Sequence, residues 1–283
     1  MIGESSFARR ALTHCALILV TMAVLYPLVL VLKIAFGPGQ GFSAGLSPIP
    51  DSVSLENFRA VIGETTPDGV WLFGRQLLNS AVIAISTTIV GILLACTDGY
   101  AFSRFDFPGR ETGLMTFLVS QMFPGVMMMI PLYLILEKLG LLNAPMGLIL
   151  VYATTSIPFC VWMLKGYFDT IPRELEESAI MDGASRFTIF WRIILPLSAP
   201  AVAVTALFSF MTAWNEFILA SVFMSEAGNF TLPVKINSYV NNEDIKWGLF
   251  AASSILVSVP VMALFYGLQK YLVGGLTAGA VKG

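Results

Sequence analysis

Long apolar runs separated by short polar segments make up most of this chain. Six runs reach the roughly 20 residues that a helix needs to cross a bilayer, at residues 11–36, 77–102, 112–136, 145–168, 197–224 and 249–273. This pattern predicts an all-α, polytopic membrane protein with six transmembrane helices. It places the first helix within residues 1–36, an extracytoplasmic loop at 37–76 and the main membrane core at 77–283.

The composition agrees with a membrane protein and argues against several other classes. The 283 residues are 56% hydrophobic and only 12% charged, whereas soluble proteins have about 25% charged residues. Cys15, Cys96 and Cys160 lie far apart in apolar runs without metal-ligand spacing, so neither a disulfide framework nor a metal site is predicted. The net charge of -2 gives no reason to expect nucleic acid as a partner.

The Lys and Arg residues predict which side of the membrane each loop occupies, because positively charged short loops stay in the cytoplasm. With six spans, ten of these residues fall on the side of the termini and six on the other side. Both termini are therefore predicted to be cytoplasmic. The same orientation puts the loop around Gly183 in the cytoplasm and leaves residues 37–76 and 225–248 outside, with a short helix near residues 55–61.

The loop at residues 169–196 has the pattern of a helix, a tight turn and a second helix. Three glutamates stand in the first turns, where carboxylates favour the positive end of a helix. Gly183 permits the left-handed backbone that ends a helix, and Ser185 can cap the next one. Two interpretations stay open from this pattern: a rigid element that docks on a partner, or an amphipathic loop at the membrane surface.

The same loop carries a specific motif. It consists of an acidic and small-residue segment, a glycine, and an Ile-x-Leu-Pro segment that begins ten positions after the glycine. Its members are Glu177, Ser178, Ala179, Asp182, Gly183, Ile193, Leu195 and Pro196. This arrangement resembles the EAA loop of permease subunits in bacterial ABC importers, with Ser178 where that family usually has alanine. The resemblance implies the type I ABC importer permease fold, in which this loop forms a cytoplasmic coupling helix that meets an ATPase.

Further segments resemble the MalG-like branch of these permeases, which serves sugar importers. They lie at residues 100–105, 107–109, 121–124, 165–168, 239–241, 247–248 and 275–283. The resemblance implies import of a sugar, such as maltose, maltodextrin or trehalose, across the cytoplasmic (inner) membrane of a bacterium or archaeon. An ABC importer for a non-sugar solute is the alternative within the same class.

The resemblance also implies partners in the bilayer and on both sides of it. They are a second, MalF-like permease subunit, a homodimeric MalK-like ATPase and an extracytoplasmic sugar-binding protein. The chain has no GxxxxGK(S/T) phosphate loop, so it is not expected to be an enzyme or to bind a cofactor, and ATP with Mg is expected on the ATPase. The tail at 274–283 is expected to be flexible and, by the resemblance, to insert between the ATPase subunits.

Two polar sets inside predicted spans are candidates for a substrate pathway or gate. Pro124 frees a backbone carbonyl and can kink its helix, while a carboxylate such as Glu216 at membrane depth is costly and usually faces protein or water. An ordinary kink and an interhelical hydrogen bond are the structural alternatives. The full sets are Gln121, Phe123 and Pro124 in the third span, and Trp214, Asn215 and Glu216 in the fifth.

The outer segment before the last span is a candidate contact for the binding protein. By the resemblance, Tyr239, Val240, Asn241 and Asn242 occupy the position that reaches into the sugar cleft of that protein. A solvated turn, indicated by the two asparagines, is the structural alternative.

A self-sufficient secondary transporter or channel is the main alternative from another class. It requires coupling charges within the membrane, for which Asp98 and Glu216 are the candidates, and it leaves the loop motif unexplained. Asp98 is otherwise predicted to reach the interface or to pair with Arg104. A membrane-embedded enzyme is a third class, but the spans contain no paired His/Glu set, Ser/His/Asp set or carboxylate cluster.

Overall fold

The computed structural model describes residues 7–41, 47, 49, 50, 52–241 and 244–280, and within them the regular elements are helices, with one isolated bridge between Thr65 and Trp71. The prediction of an all-α membrane fold is confirmed. In chain order the helices are α1 (Phe7–Phe36), α2 (Glu56–Ile62), α3 (Leu72–Arg104), α4 (Arg110–Met122), α5 (Met129–Lys138), α6 (Pro145–Phe168), α7 (Glu174–Met181), α8 (Arg186–Ile189), α9 (Leu195–Leu197), α10 (Ala199–Asn215), α11 (Ile218–Phe223), α12 (Leu232–Ser238) and α13 (Trp247–Ala280).

Four helical segments among the described residues are long and apolar enough to cross a membrane alone. They are Arg9–Phe36, Leu72–Arg104, Pro145–Phe168 and Trp247–Lys270. Two further segments qualify as bent pairs, Arg110–Met122 with Gly125–Lys138 at 95° and Arg186–Leu197 with Ala199–Asn215 at 77°. The described part of the chain therefore reaches the predicted six spans when each bent pair counts as one.

The third predicted span, 112–136, is broken rather than continuous. Helix α4 ends at Met122, and the backbone is extended at Phe123 (ψ 126°) and Pro124 (ψ 127°) before a 3-10 turn leads into α5. Proline lacks the N–H that a helix needs, and it pushes the preceding residue toward extended backbone. The kink predicted at Pro124 is therefore a complete break of the helix.

The fifth predicted span, 197–224, also differs from a single helix. Helix α10 ends at Asn215, Glu216 is extended (φ -68°, ψ 127°), and α11 begins at Ile218. Neither proline nor glycine marks this break in the sequence. Trp214, Asn215 and Glu216 therefore lie at the end of a helix and not along a continuous span.

The chain forms two compact units, the first from residues 1–73 and 236–258 and the second from residues 74–235 and 259–283. In the first unit, Asn57 of α2 is fully buried. Gln40 Nε2 donates to Asn57 Oδ1 over 2.7 Å, and Asn57 Nδ2 donates to Gly37 O over 3.0 Å. Only glycine fits at position 248 beside them, because a β-carbon there would clash with Asn57 Nδ2 at 2.6 Å. Hydrogen bonds thus order the segment that follows α1.

The core of the second unit lies where α3 and α6 pack against the loop segments α7 and α8. Phe168, Leu164 and Ile189 are completely buried there. Gly99 allows α3 to approach α6 closely, since a β-carbon at this position would lie 3.1 Å from Lys165 N. The loop at 169–196 is therefore built into the core and is not an appended surface feature.

The end of the chain differs from the predicted flexible tail. Helix α13 continues to Ala280, while residues 281–283 lie outside the described part. Extending an existing helix requires no new nucleation, so a long apolar helix can continue through a segment whose glycines favour disorder.

Candidate functional site

The turn of the loop at 169–196 has the geometry that its sequence predicts. Helix α7 ends before Gly183, whose φ is +84°. Gly183 N donates to Ile180 O over 2.9 Å, and Ala184 N donates to Ala179 O over 2.9 Å. This pair of bonds is the Schellman arrangement, in which glycine takes the left-handed position at low cost. A side chain at residue 183 would strain the turn although there is space for it.

The second arm of the loop also begins as its sequence predicts. Ser185 Oγ accepts a hydrogen bond from Thr188 N over 3.2 Å and so caps α8. A π-helical segment, Phe190–Ile194, then leads into α9. Of the predicted coupling residues in this arm, Ile193 and Leu195 are half-buried and Pro196 is exposed.

A buried ionic cluster attaches α7 to α3. Glu176 accepts a hydrogen bond from Tyr100 Oη over 2.8 Å and forms an ion pair with Arg104 Nε, with side chains only 5% (Arg104) and 4% (Glu176) exposed. Arg104 Nη2 also donates to Ile171 O over 2.8 Å. We call Tyr100, Arg104 and Glu176 the Glu176 clamp. Removing one partner of such a pair would leave an uncompensated buried charge.

The Glu176 clamp corrects one prediction and adds residues that the sequence did not single out. The proposed pairing of Asp98 with Arg104 is wrong, because Arg104 is directed to Glu176 and Asp98 stays half-buried on α3. The motif drew attention to Glu177, which is exposed, rather than to its neighbour Glu176. Ala179 is buried and follows Glu176 by three residues, so the two share one face of α7. Helical periodicity could therefore have indicated that Glu176 faces inward.

A second polar contact lies beside the Glu176 clamp. Asp169 accepts hydrogen bonds from Lys165 Nζ and Ser103 Oγ, each over 2.6 Å. Burial acts to raise the pKa of Asp169, but these bonds and the positive charge of Lys165 outweigh it and hold the pKa below its usual value. The end of α6 is therefore also attached to α3.

The outer surface of the loop combines acidic and apolar groups. Glu177, Ser178 and Asp182 are exposed, whereas Ala179 is buried. The large apolar side chains left exposed on the same loop are Leu175, Ile180, Met181 (87%), Phe187 (72%) and Trp191. An exposed cluster of large apolar side chains on a rigid element is typical of a surface that another protein covers.

The first pathway candidates lie at the break of the third span. Gln121 is exposed near the end of α4, and its Nε2 donates to Thr155 O on α6 over 2.9 Å. Phe123 is exposed, and Pro124 supplies the extended backbone. These residues therefore join a polar contact to a sharp change of chain direction.

The second set of pathway candidates contains both buried and exposed side chains. Trp214 is buried and stacks on Phe210, with 5.3 Å between ring centroids. Asn215 is exposed, and its Nδ2 donates to Met211 O over 2.9 Å. Within this set, Asn215 therefore offers its amide to the surface while the Trp214 ring packs in the core.

Glu216 caps the N-terminal end of α11. Its carboxylate accepts hydrogen bonds from Leu219 N over 2.9 Å and Ala220 N over 3.1 Å, and also from Tyr152 Oη over 2.5 Å. The first two bonds satisfy N–H groups that a new helix leaves without partners. This Glu216 cap explains why a helix restarts without proline or glycine, and sequence reasoning missed Tyr152 because it lies 64 residues away.

The predicted contact for a binding protein lies in the first unit. Tyr239 is only 7% exposed, and its hydroxyl donates to Glu64 Oε2 over 3.0 Å. Burial, followed by the charge of Glu64, raises the pKa of Tyr239. Val240 is half-buried, Asn241 is exposed, and Asn242 lies outside the described residues. Among the described residues of this set, Asn241 presents its side chain most openly.

Several apolar spans, two helix breaks and a loop packed into the core with apolar side chains exposed on its outer surface describe a polytopic membrane protein with a surface suited to a partner. In the described residues, no group of three or more His, Cys, Asp or Glu side chains is arranged to hold a metal ion. Residues 87–277 match the family "Binding-protein-dependent transport system inner membrane component", and the chain belongs to that family. The predicted family is confirmed.

Known relatives align over almost the whole chain. Maltodextrin transport system permease protein MalD of Streptococcus pneumoniae is 38% identical over 97% of this chain and 96% of its own. Maltose/maltodextrin transport system permease protein MalG of Vibrio vulnificus is 38% identical over 99% and 98%. Inner membrane ABC transporter permease protein YcjP of Escherichia coli is 35% identical over 95% of each chain.

The fold has a solved counterpart in a bacterial ABC transporter involved in the import of the acidic polysaccharide alginate. It matches with a TM-score of 0.79 at 22% identity, covering 95% of this chain and 99% of that one. The type I importer permease fold is therefore confirmed. The chain is a multi-pass inner-membrane permease subunit of an ABC transporter, and ATP hydrolysis belongs to a separate subunit.

Proposed function

We propose that this subunit carries a sugar into the cytoplasm, with maltose or maltodextrin as the first candidates and trehalose as a related one. The relatives named for maltose and maltodextrin transport support this proposal. An importer for a non-sugar solute is the runner-up, since the loop motif alone does not specify the solute.

In this proposal the loop at 169–196 is the mechanical link to the ATPase. The single observation that carries it is that Met181 and Phe187 are exposed on a loop whose other face is fixed in the core by the Glu176 clamp. A partner that binds the exposed face and changes conformation would move α7. The buried ion pair between Glu176 and Arg104 would transmit that movement to α3. Rigid elements with two discrete arrangements transmit motion in this way.

The proposed assembly contains a second, MalF-like permease, a homodimeric MalK-like ATPase that holds ATP and Mg, and an extracytoplasmic binding protein. The membership of a binding-protein-dependent family supports such partners. Both termini are cytoplasmic in this arrangement, in agreement with the Lys and Arg distribution. The segment Tyr239, Val240, Asn241 and Asn242 would meet the binding protein, and Asn241 is its most exposed member among the described residues.

The decisive experiment uses the complete importer reconstituted in lipid with its partner permease, ATPase and binding protein. We expect Gly183→Val to abolish sugar-stimulated ATP hydrolysis, because a β-branched residue is strained at φ +84° and the turn must deform. Gly109→Val is the matched control, since Gly109 has a similar φ of +87° and open space but lies outside the loop.

Equal losses for Gly183→Val and Gly109→Val would show that strain alone, and not the loop, causes the defect. Sugar flux through this chain without the ATPase would overturn the importer mechanism in favour of a secondary transporter or channel.

A further inference from the structure

Four of the exposed polar side chains of the second unit lie on α4, α6 and α10 near the contact between α6 and α10. They are Gln121, Thr155, Thr212 and Asn215, and we call them the polar band. All four belong to segments that qualify as membrane spans. Polar groups at membrane depth are costly against lipid, so they normally face protein or a water-filled cavity.

Contacts along the helices place the members of the polar band at one level. Helices α6 and α10 touch at the Tyr152–Glu216 hydrogen bond and again at the rings of Phe159 and Phe208, whose centroids are 5.8 Å apart. Residue numbers rise along α6 while they fall along α10, so the two helices are antiparallel. Thr155 and Thr212 therefore both lie between these two contacts.

Helical periodicity puts the same residues on adjoining faces. Thr155 and Phe159 are four residues apart, as are Phe208 and Thr212, and residues at this spacing share one face of a helix. Phe159 is 42% and Phe208 49% exposed although their rings touch. The two faces consequently present a pair of aromatic rings next to the polar band.

Gln121 and Asn215 complete the band from its two sides. Gln121 bonds directly to the backbone of Thr155, and Asn215 follows Thr212 by three residues on the same face of α10. Each amide uses one N–H on a backbone carbonyl, which leaves an acceptor oxygen and a second N–H. Thr212 Oγ1 donates to Phe208 O over 2.9 Å and keeps its lone pairs.

The chemistry of this surface suits an uncharged ligand rich in hydroxyl groups. The four polar side chains carry no net charge that would favour a cation or an anion, yet they supply both hydrogen-bond donors and acceptors. Aromatic rings beside them can cover the apolar C–H face of a sugar ring, and a few convergent polar groups beside apolar walls are usual for small-molecule sites. Glu216 is not part of this surface because Tyr152 and two backbone N–H groups occupy its carboxylate.

On the basis of the proposed sugar import, we propose that the polar band binds the hydroxyl groups of the sugar in transit, with Phe159 and Phe208 against its ring. This subunit then contacts the sugar itself and does not leave recognition to its partner permease. Asn215 and Thr212 select the sugar, whereas Glu216 maintains the helix break that presents them.

The test measures chemical modification of single cysteines in the complete importer. Native Cys15, Cys96 and Cys160 are first replaced, and Thr155→Cys or Thr212→Cys is then introduced. A charged, membrane-impermeant methanethiosulfonate reports exposure to water, with maltose, maltotriose or trehalose supplied through the binding protein. Thr97→Cys is the matched control, because Thr97 is also an exposed helical threonine bonded to its own backbone, Thr97 Oγ1 to Leu94 O over 2.8 Å, but it lies on α3.

We expect Thr155→Cys and Thr212→Cys to react and the transported sugar to slow their modification by about ten-fold, as for a site mostly occupied by ligand. The rate at Thr97→Cys should not respond to sugar. Modification that sugar does not slow would overturn the proposal, and so would complete resistance to the reagent, which would identify the band as an interface with the partner permease. If the unmodified importer carries none of the three sugars, the proposed sugar function itself is wrong.

A second measurement separates recognition from folding. Asn215→Leu keeps the size of the side chain but removes both hydrogen-bonding groups, and we expect it to lower sugar uptake by about ten-fold, the cost of roughly one good hydrogen bond. Stimulation of ATP hydrolysis by the loaded binding protein should persist. Loss of both activities together would contradict a role in binding sugar.

Discussion

The Glu176 clamp and the Glu216 cap each contain a glutamate that accepts a hydrogen bond from a buried tyrosine, but Glu176 is buried and Glu216 half-buried, and they differ in what balances the charge. Glu176 faces the guanidinium of Arg104, 72 residues away in the chain, and so joins two distant segments. Glu216 is balanced largely by backbone N–H groups three and four residues away. The first arrangement can carry force between segments, whereas the second fixes a local change of direction.

The largest effect that separates the two glutamates should come from Arg104→Ala. It leaves Glu176 buried with only the longer ion pair to the exposed Arg186, Nη1 to Oε2 over 3.8 Å. We therefore expect the free energy of unfolding of the purified complex to fall by about 3 kcal/mol, near the lower end for a broken buried pair. Chemical denaturation in detergent measures this loss. Glu174→Ala, at a more exposed glutamate in the same helix, is the control and should change stability by about 0.5 kcal/mol or less.

A loss below about 1 kcal/mol for Arg104→Ala would contradict this difference between Glu176 and Glu216, because an exposed ion pair at the protein surface already contributes that much.

A smaller loss should follow from Glu216→Ala. It removes the cap of α11 but strands no opposite charge, so we expect the free energy of unfolding to fall by about 1–2 kcal/mol. Glu216→Gln keeps one acceptor oxygen and should lie between Glu216→Ala and the unaltered chain in the same denaturation experiment. If Glu216→Ala lowered the free energy of unfolding as much as Arg104→Ala, the Glu216 cap would also stabilise contacts between segments distant in the chain.

The tyrosines sharpen the comparison at a still smaller scale. We expect Tyr152→Phe and Tyr100→Phe each to lower the free energy of unfolding by about 1 kcal/mol, the usual contribution of one hydrogen bond. Tyr152→Phe should cost more, because it leaves Glu216 with the neutral backbone donors of Leu219 and Ala220, whereas Tyr100→Phe leaves Glu176 with the cation of Arg104. The reverse order in paired denaturation curves would contradict the assignment of charge balance.

The smallest expected effect concerns pH at the edge of the Glu176 clamp. Because the pKa of Asp169 is lowered in the folded state, its contribution to stability is present above its unfolded value of about 4 and is lost as pH falls through the lowered folded value. Lys165→Met removes one source of that lowering, so stability should depend less on pH below about pH 4. An unchanged acid slope would show that Ser103 and Arg104 alone set the pKa.

The sequence predicts local features of this protein well because they depend on neighbouring residues. The turn at Gly183, the cap at Ser185 and the break at Pro124 each follow from the conformational preferences of a few residues. The Glu176 clamp and the Glu216 cap involve Tyr100 and Tyr152, whose separations of 76 and 64 residues are set by tertiary packing. For the same reason, the motif indicated the exposed Glu177 and not the buried Glu176.

The 95° break between α4 and the segment that follows has a consequence for how the protein enters the bilayer during synthesis. Its arms, Arg110–Met122 with 13 residues and Gly125–Lys138 with about 14, are each shorter than the roughly 20 residues that a span requires. Neither arm offers the insertion machinery an adequate segment, so the two must enter together. Gln121 bonds to α6, which leaves the ribosome later, and the bend therefore acquires its final support only after the next span has been made.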